Sequence, residues 1–87
     1  MTYKIIVHPR VKKELQKLFK KDNVRYSHVK KRLEILSNNP EIGKPLRNIL
    51  KGKWRIHIRS FVIIYEIDNE NSSIILMDFE HHDQAYK

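Results

Sequence analysis

Eighty-seven residues, among them eighteen Lys/Arg, ten Asp/Glu and no Cys, make one domain over positions 1–87 with a single core. The missing cysteines leave out a disulfide framework and a thiolate metal site and fit a reducing cytoplasm. The early apolar run Ile5-Ile6-Val7 is too short for a signal-peptide core or a membrane span. The net charge of +8 is unevenly spread, with 17 Lys/Arg against 4 Asp/Glu in residues 1–60 and 1 against 6 in residues 61–87. The basic part reads as a surface for nucleic acid or for an acidic protein partner.

Tyr3, Ile5 and Val7 alternate with Lys4 and Ile6 and predict a short first strand. Pro9 then suits the first position of a helix, where its missing N–H costs nothing. Val11, Leu15, Leu18 and Phe19 form its apolar stripe, and Lys12, Lys13, Lys17, Lys20 and Lys21 take the remaining surface. Asp22 or Asn23 is placed to cap a second helix. Its expected buried face is Val24, Val29, Leu33 and Leu36, with Tyr26 and Ile35 at the margin. That helix should end around Asn38-Asn39, because Pro40 disfavours a helical residue before it.

Glu41 to Leu50 predicts a connector, with Leu46, Ile49 and Leu50 anchoring it to the core and Gly52 turning it into the next strand. Phe61, Ile63, Tyr65 and Ile67 give a central strand whose other face carries Val62 and Ile64. Residues 68–72 are a turn by composition, Ser73–Phe79 a last strand and Glu80–Lys87 a polar tail. The predicted order is β-α-α-β-β-β. This is an α+β domain, a mainly antiparallel sheet packed against an N-terminal helical hairpin.

The run Lys53-Trp-Arg-Ile-His-Ile-Arg59 carries the functional signal. As a strand it puts Trp54, Ile56 and Ile58 on one face and Lys53, Arg55, His57 and Arg59 on the other. Like charges stacked on one face repel, so a polyanion is their natural counter-charge. Same-face neighbours lie roughly 6.6 to 7 Å apart, a reach that suits consecutive nucleotides of a single strand. A second cluster, His81-His82 with Tyr86, closes the chain. Both flank the meander and are expected to converge on one groove.

Together these groups supply what RNA cleavage without a metal requires. A 2′-hydroxyl must lose a proton, the phosphorane-like transition state needs cations, and the leaving oxygen needs an acid. Arginine presents a planar fork to phosphate, histidine moves protons near neutral pH, and tyrosine stacks on or orients a base. Adjacent histidines rarely share one ion, and no HExxH or Cys cluster is present, so no metal is expected. Gly43 and Gly52 are the only glycines, too few for a phosphate-cradling loop, and no cofactor is implied.

Taken in order, Tyr3-Lys4-Ile5, His8-Pro9-Arg10, Lys13-Glu14-Leu15, Asn39-Pro40, Gly43-Lys44-Pro45-Leu46, Trp54-Arg55-Ile56, Ile63-Ile64-Tyr65-Glu66-Ile67 and His81-His82 with Tyr86-Lys87 resemble the RelE/ParE toxin superfamily. The resemblance implies a toxin of a type II toxin-antitoxin system, neutralised by an acidic antitoxin. Its RelE-type branch cleaves mRNA on the ribosome without a metal. By that likeness Arg55, His57, Arg59 and Tyr86 are catalytic candidates, with His82 beside them; Arg47, Lys51, Lys53 and His81 are expected to bind RNA. Two positions depart from the pattern, since Val62 and His82 stand where the superfamily often has arginine. The ParE-type branch inhibits DNA gyrase instead, and a catalytically silent RNA-binding relative is a further alternative.

Overall fold

The chain enters its first helix through a local cap. His8 Nδ1 accepts a hydrogen bond from the Arg10 N–H at 3.2 Å, and Pro9 sits in the first turn. In the computed structural model, which describes residues 2–81, strand β1 is Lys4–Val7 and helix α1 is Pro9–Lys21. Asp22 ends α1 by donating its N–H to the Leu18 carbonyl at 2.8 Å. The same residue caps α2 (Asn23–Asn38), its carboxylate accepting from the Arg25 N–H at 3.1 Å. One residue thus serves both helix ends and closes the predicted hairpin.

Beyond Asn39 a short 3₁₀ turn, Pro40–Ile42, leads into β2 (Lys44–Pro45), a strand of two residues within the predicted connector. It is too short for alternation to register, and its Pro45 has no N–H for a longer ladder. A second 3₁₀ turn, Asn48–Leu50, precedes β3 (Lys53–Ile58), β4 (Phe61–Asp68) and β5 (Ser73–His81). Strand β5 therefore runs two residues past the predicted end at Phe79.

The sheet order is β1-β5-β4-β3-β2, with β1 parallel to β5 and the other pairs antiparallel. Because β1 lies at one edge and β2 at the other, the helical hairpin between them crosses the sheet and covers one face. Val11, Val29 and Leu36 from the helices meet Ile56, Ile58, Phe61, Ile63, Tyr65, Ile74 and Leu76 from the sheet in one core. Each such aliphatic side chain contributes about 1.5 to 3 kcal/mol by leaving water.

Several predicted core members lie outside it. Phe19 is 51% exposed and packs edge-on to Tyr26 at 5.0 Å, and Val24, in the first turn of α2, is 67% exposed. Ile49 is 98% exposed and Leu50 43%, so neither anchors the connector. Polar contacts hold it instead. The Leu46 N–H donates to the Lys53 carbonyl at 2.8 Å. The buried Tyr65 hydroxyl donates to the Pro40 carbonyl at 2.7 Å and accepts from the Gly43 N–H at 3.2 Å.

Candidate functional site

The register of the sheet fixes what stands on the face that the helices leave uncovered. One rank across the strands reads Lys44, Arg55, Ile64, Asp78, and the next reads His57, Val62, Glu80. Within these two ranks charge is thus sorted, with cations on β2 and β3, apolar side chains on β4 and carboxylates on β5. Strands lie about 4.8 Å apart, which puts the carboxylates about 10 Å from the basic row. That exceeds the roughly 8 Å screening length of physiological salt, so the basic row keeps most of its field at the edge.

Arg55 and His57 are same-face neighbours on β3, Arg55 half-buried and His57 exposed. Arg55 is held from behind. A Cβ on Gly43 would come within 2.6 Å of the Arg55 carbonyl oxygen and 2.5 Å of the Tyr65 hydroxyl. Glycine is needed at 43 for this close approach rather than for its dihedrals, since its φ is −77°. Burial pushes the Tyr65 phenol up; the Gly43 N–H it accepts works against that, and Glu41 adds to it.

Lys53 is on the same strand face but is engaged, its ammonium 2.6 Å from Glu66 across the β3–β4 pair. Arg59 lies past the end of β3, in the two-residue turn before Phe61, with φ +54°. It is exposed there and not a fourth member of the strand row. Arg47 and Lys51 are exposed in the connector at the opposite end of β3.

His81 is a correction to the single-groove expectation. It pairs with Phe61 across β4–β5 and lies 5.1 Å from its ring, on the side packed by α1, near Glu14, Lys17 and Leu18. That is the opposite side of the sheet from Arg55 and His57. His82 and Tyr86 lie outside the described residues. Among the described residues no group of three His, Cys, Asp or Glu could hold a metal ion, and no helix is long and apolar enough to cross a membrane.

Three cations escaped the sequence reading because the fold, not spacing, brings them to the site. Arg10 from the start of α1 lines a concavity with Lys53, Val62, Ile64, Asp78 and Glu80. Lys44 pairs with Arg55 through β2. Arg32 of α2 reaches the hollow beside Arg55 and His57. Arg10 and Lys44 carried a local signal, through their places in His8-Pro9-Arg10 and Gly43-Lys44-Pro45; Arg32 carried none.

A five-stranded sheet backed on one face by a helical hairpin is an architecture shared with solved toxins. The toxin-antitoxin complex RelBE2 from Mycobacterium tuberculosis matches with a TM-score of 0.81 at 24% identity, over 93% of this chain and 92% of that one. The archaeal RelE-RelB complex from Pyrococcus horikoshii matches with a TM-score of 0.76 at 22% identity, over 94% and 97%. The fold is therefore the RelE-like toxin fold. At the level of sequence, the putative toxin RelE4 of Methanocaldococcus jannaschii is 40% identical over 86 residues, 98% of this chain and 92% of the relative. Residues 5–86 match the family described as ParE toxin of type II toxin-antitoxin system, parDE. The chain belongs to that family and is a type II toxin of the RelE/ParE superfamily.

Proposed function

We propose that this toxin is a metal-independent, ribosome-dependent endoribonuclease that cleaves mRNA in the cytoplasm. One observation carries the reading: Arg55 and His57 stand side by side on the uncovered face of β3, beside the Lys44 edge and with no carboxylate in the adjoining β4 positions Ile64 and Val62. In the proposed step the 2′-oxygen of one nucleotide attacks its own 3′-phosphorus. The bond to the next 5′-oxygen breaks, leaving a 2′,3′-cyclic phosphate and a 5′-hydroxyl. Arg55, assisted by Arg59, stabilises the charge on the phosphate oxygens. His57 and His82 take the 2′-proton and supply one to the leaving oxygen, with Tyr86 in support.

The solved relatives named above are toxin-antitoxin complexes, and a matching antitoxin with an acidic segment is the proposed partner here, folding over the basic edge. In a reconstituted translation system, primer extension should find new mRNA ends inside A-site codons only when ribosomes are present. Intact mRNA beside an active control toxin would sink the reading. A second reading, gyrase inhibition, is favoured by neutral Val62 and by Asp78 and Glu80 on the same face. A supercoiling assay run in parallel separates the two, since a nuclease leaves supercoiling untouched.

A further inference from the structure

Strand β3 pairs with β2 only at Trp54 and Arg55. Beyond that point its edge faces α2 across a groove made of two hollows. One contains Arg32, Lys44, Arg55 and His57, the other Lys31, Arg32, His57 and Arg59. Arg32 and His57 line both, so the hollows adjoin. The residues lining them include no carboxylate, unlike the concavity over β5, which holds Asp78 and Glu80.

We propose that this groove is a binding track for an RNA phosphodiester backbone, with Lys31 and Arg32 of α2 as its second wall. The inference rests on the reading that the toxin acts on RNA, and it extends the site from one strand to the helix opposite. Three observations converge on it. Ion pairs among the described residues are Glu14–Lys17, Asp22–Arg25 and Lys53–Glu66, which leaves the groove's lysines and arginines to confront one another across an open cleft. Such repulsion is relieved by a polyanion laid along it.

The second observation is Arg59. Its φ of +54° is a conformation that glycine adopts freely and a long side chain resists. A two-residue hairpin turn ordinarily takes Gly or Asn at such a position, yet arginine is kept at the mouth of the groove. The third is composition. Three of the five permanent cations, Arg32, Arg55 and Arg59, carry the guanidinium fork that matches phosphate oxygens bidentately. This favours RNA over an acidic protein as occupant.

The test uses the full chain and a short single-stranded RNA whose 2′-O-methyl groups block cleavage, with affinity measured across a KCl series. Isolated ribosomes and polyglutamate serve as further probes. Lys31 and Arg32 are both exposed, so K31Q/R32Q should keep the wild-type melting temperature. Loss of two phosphate contacts makes the salt slope shallower by about 1.4, from roughly 0.7 per contact on single strands. Referred to 1 M salt, that weakens binding about 25-fold at 0.1 M. The charge-matched control K13Q/K30Q, off the groove, should keep the wild-type slope. Arg59→Gly should bind RNA more weakly while melting at the same or a higher temperature.

A loss seen on the oligomer identifies single-stranded RNA as the source of the phosphates, and one confined to ribosomes identifies ribosomal RNA. Either supports the track. Unchanged RNA binding in K31Q/R32Q, or an equal loss in the control, overturns it. A loss confined to polyglutamate also overturns it, in favour of an acidic protein. If the wild type binds RNA with the full slope yet leaves mRNA intact on ribosomes, the endonuclease reading falls and the groove stands.

Discussion

Tyr65→Phe removes one oxygen from a place where the structure gives it two partners. The hydroxyl donates to the Pro40 carbonyl at 2.7 Å and accepts from the Gly43 N–H at 3.2 Å, and the side chain is fully buried. Phenylalanine fills the same ring volume, so no cavity opens at the ring. What changes is that the Gly43 N–H loses its acceptor and the Pro40 carbonyl one donor. Leaving a buried group unsatisfied costs about 1 to 3 kcal/mol, and about 2 kcal/mol is the expected loss here. In a domain of this size it lowers the melting temperature by roughly 8 to 16 °C. Urea unfolding is the assay, and a loss below about 0.5 kcal/mol would refute the claim that this hydroxyl anchors the connector.

The same position sets a pH dependence. Because burial raises the Tyr65 phenol from its ordinary value of 10.0, the fold prefers the neutral form. The stability this contributes is complete below the unfolded value and is lost as pH rises through the higher folded one. In Tyr65→Phe the alkaline loss from this position should vanish. Gly43→Ala offers a check on the packing, since its Cβ would stand 2.6 Å from the Arg55 carbonyl oxygen. Tyr65→Phe should not rescue it, because that neighbour is backbone.

Asp22→Ala should cost about 1 kcal/mol in urea unfolding, because Asp22 caps α2 at Arg25 and its carboxylate also lies 3.3 Å from the Arg25 Nε. Leu36→Ala, at a side chain with no exposure, should cost about 2 to 5 kcal/mol, whereas Ile49→Ser, at 98% exposure, should stay within about 0.5 kcal/mol of wild type. Lys53→Ala should weaken RNA binding less than Arg55→Ala, since Glu66 already engages the Lys53 ammonium; a larger effect at Lys53 would reverse the ranking of the two cations.

What could be read in the sequence was whatever repeats along one element. Alternation placed Arg55 and His57 on one face of β3 and Ile56 and Ile58 on the other, and the structure buries the latter pair. Pro9, Asp22 and Pro40 marked helix ends because capping and proline sterics are local. Phe19, Val24 and Ile49 misled, because hydrophobicity alone does not say which way a side chain points at a helix end or in a connector. The ties of that connector, Tyr65 to Pro40 and Gly43, span more than twenty residues and leave no local trace. His81 follows the same lesson. Its place depends on how far β5 continues and on the bulge at Ile64/Tyr65 that shifts its register, neither of which alternation reveals. The groove cations Lys31 and Arg32 leave no local trace either, because only the fold sets the edge of β3 against them.

In the proposed reaction the basic row of β3 handles the scissile phosphate. Single-turnover cleavage of mRNA on programmed ribosomes, at saturating toxin, compares wild type with Arg55→Ala most directly. The rate should fall by about 10²- to 10³-fold, the usual effect of removing one group that stabilises transition-state charge, with the melting temperature retained. Cleavage by Arg55→Ala at the wild-type rate would contradict it.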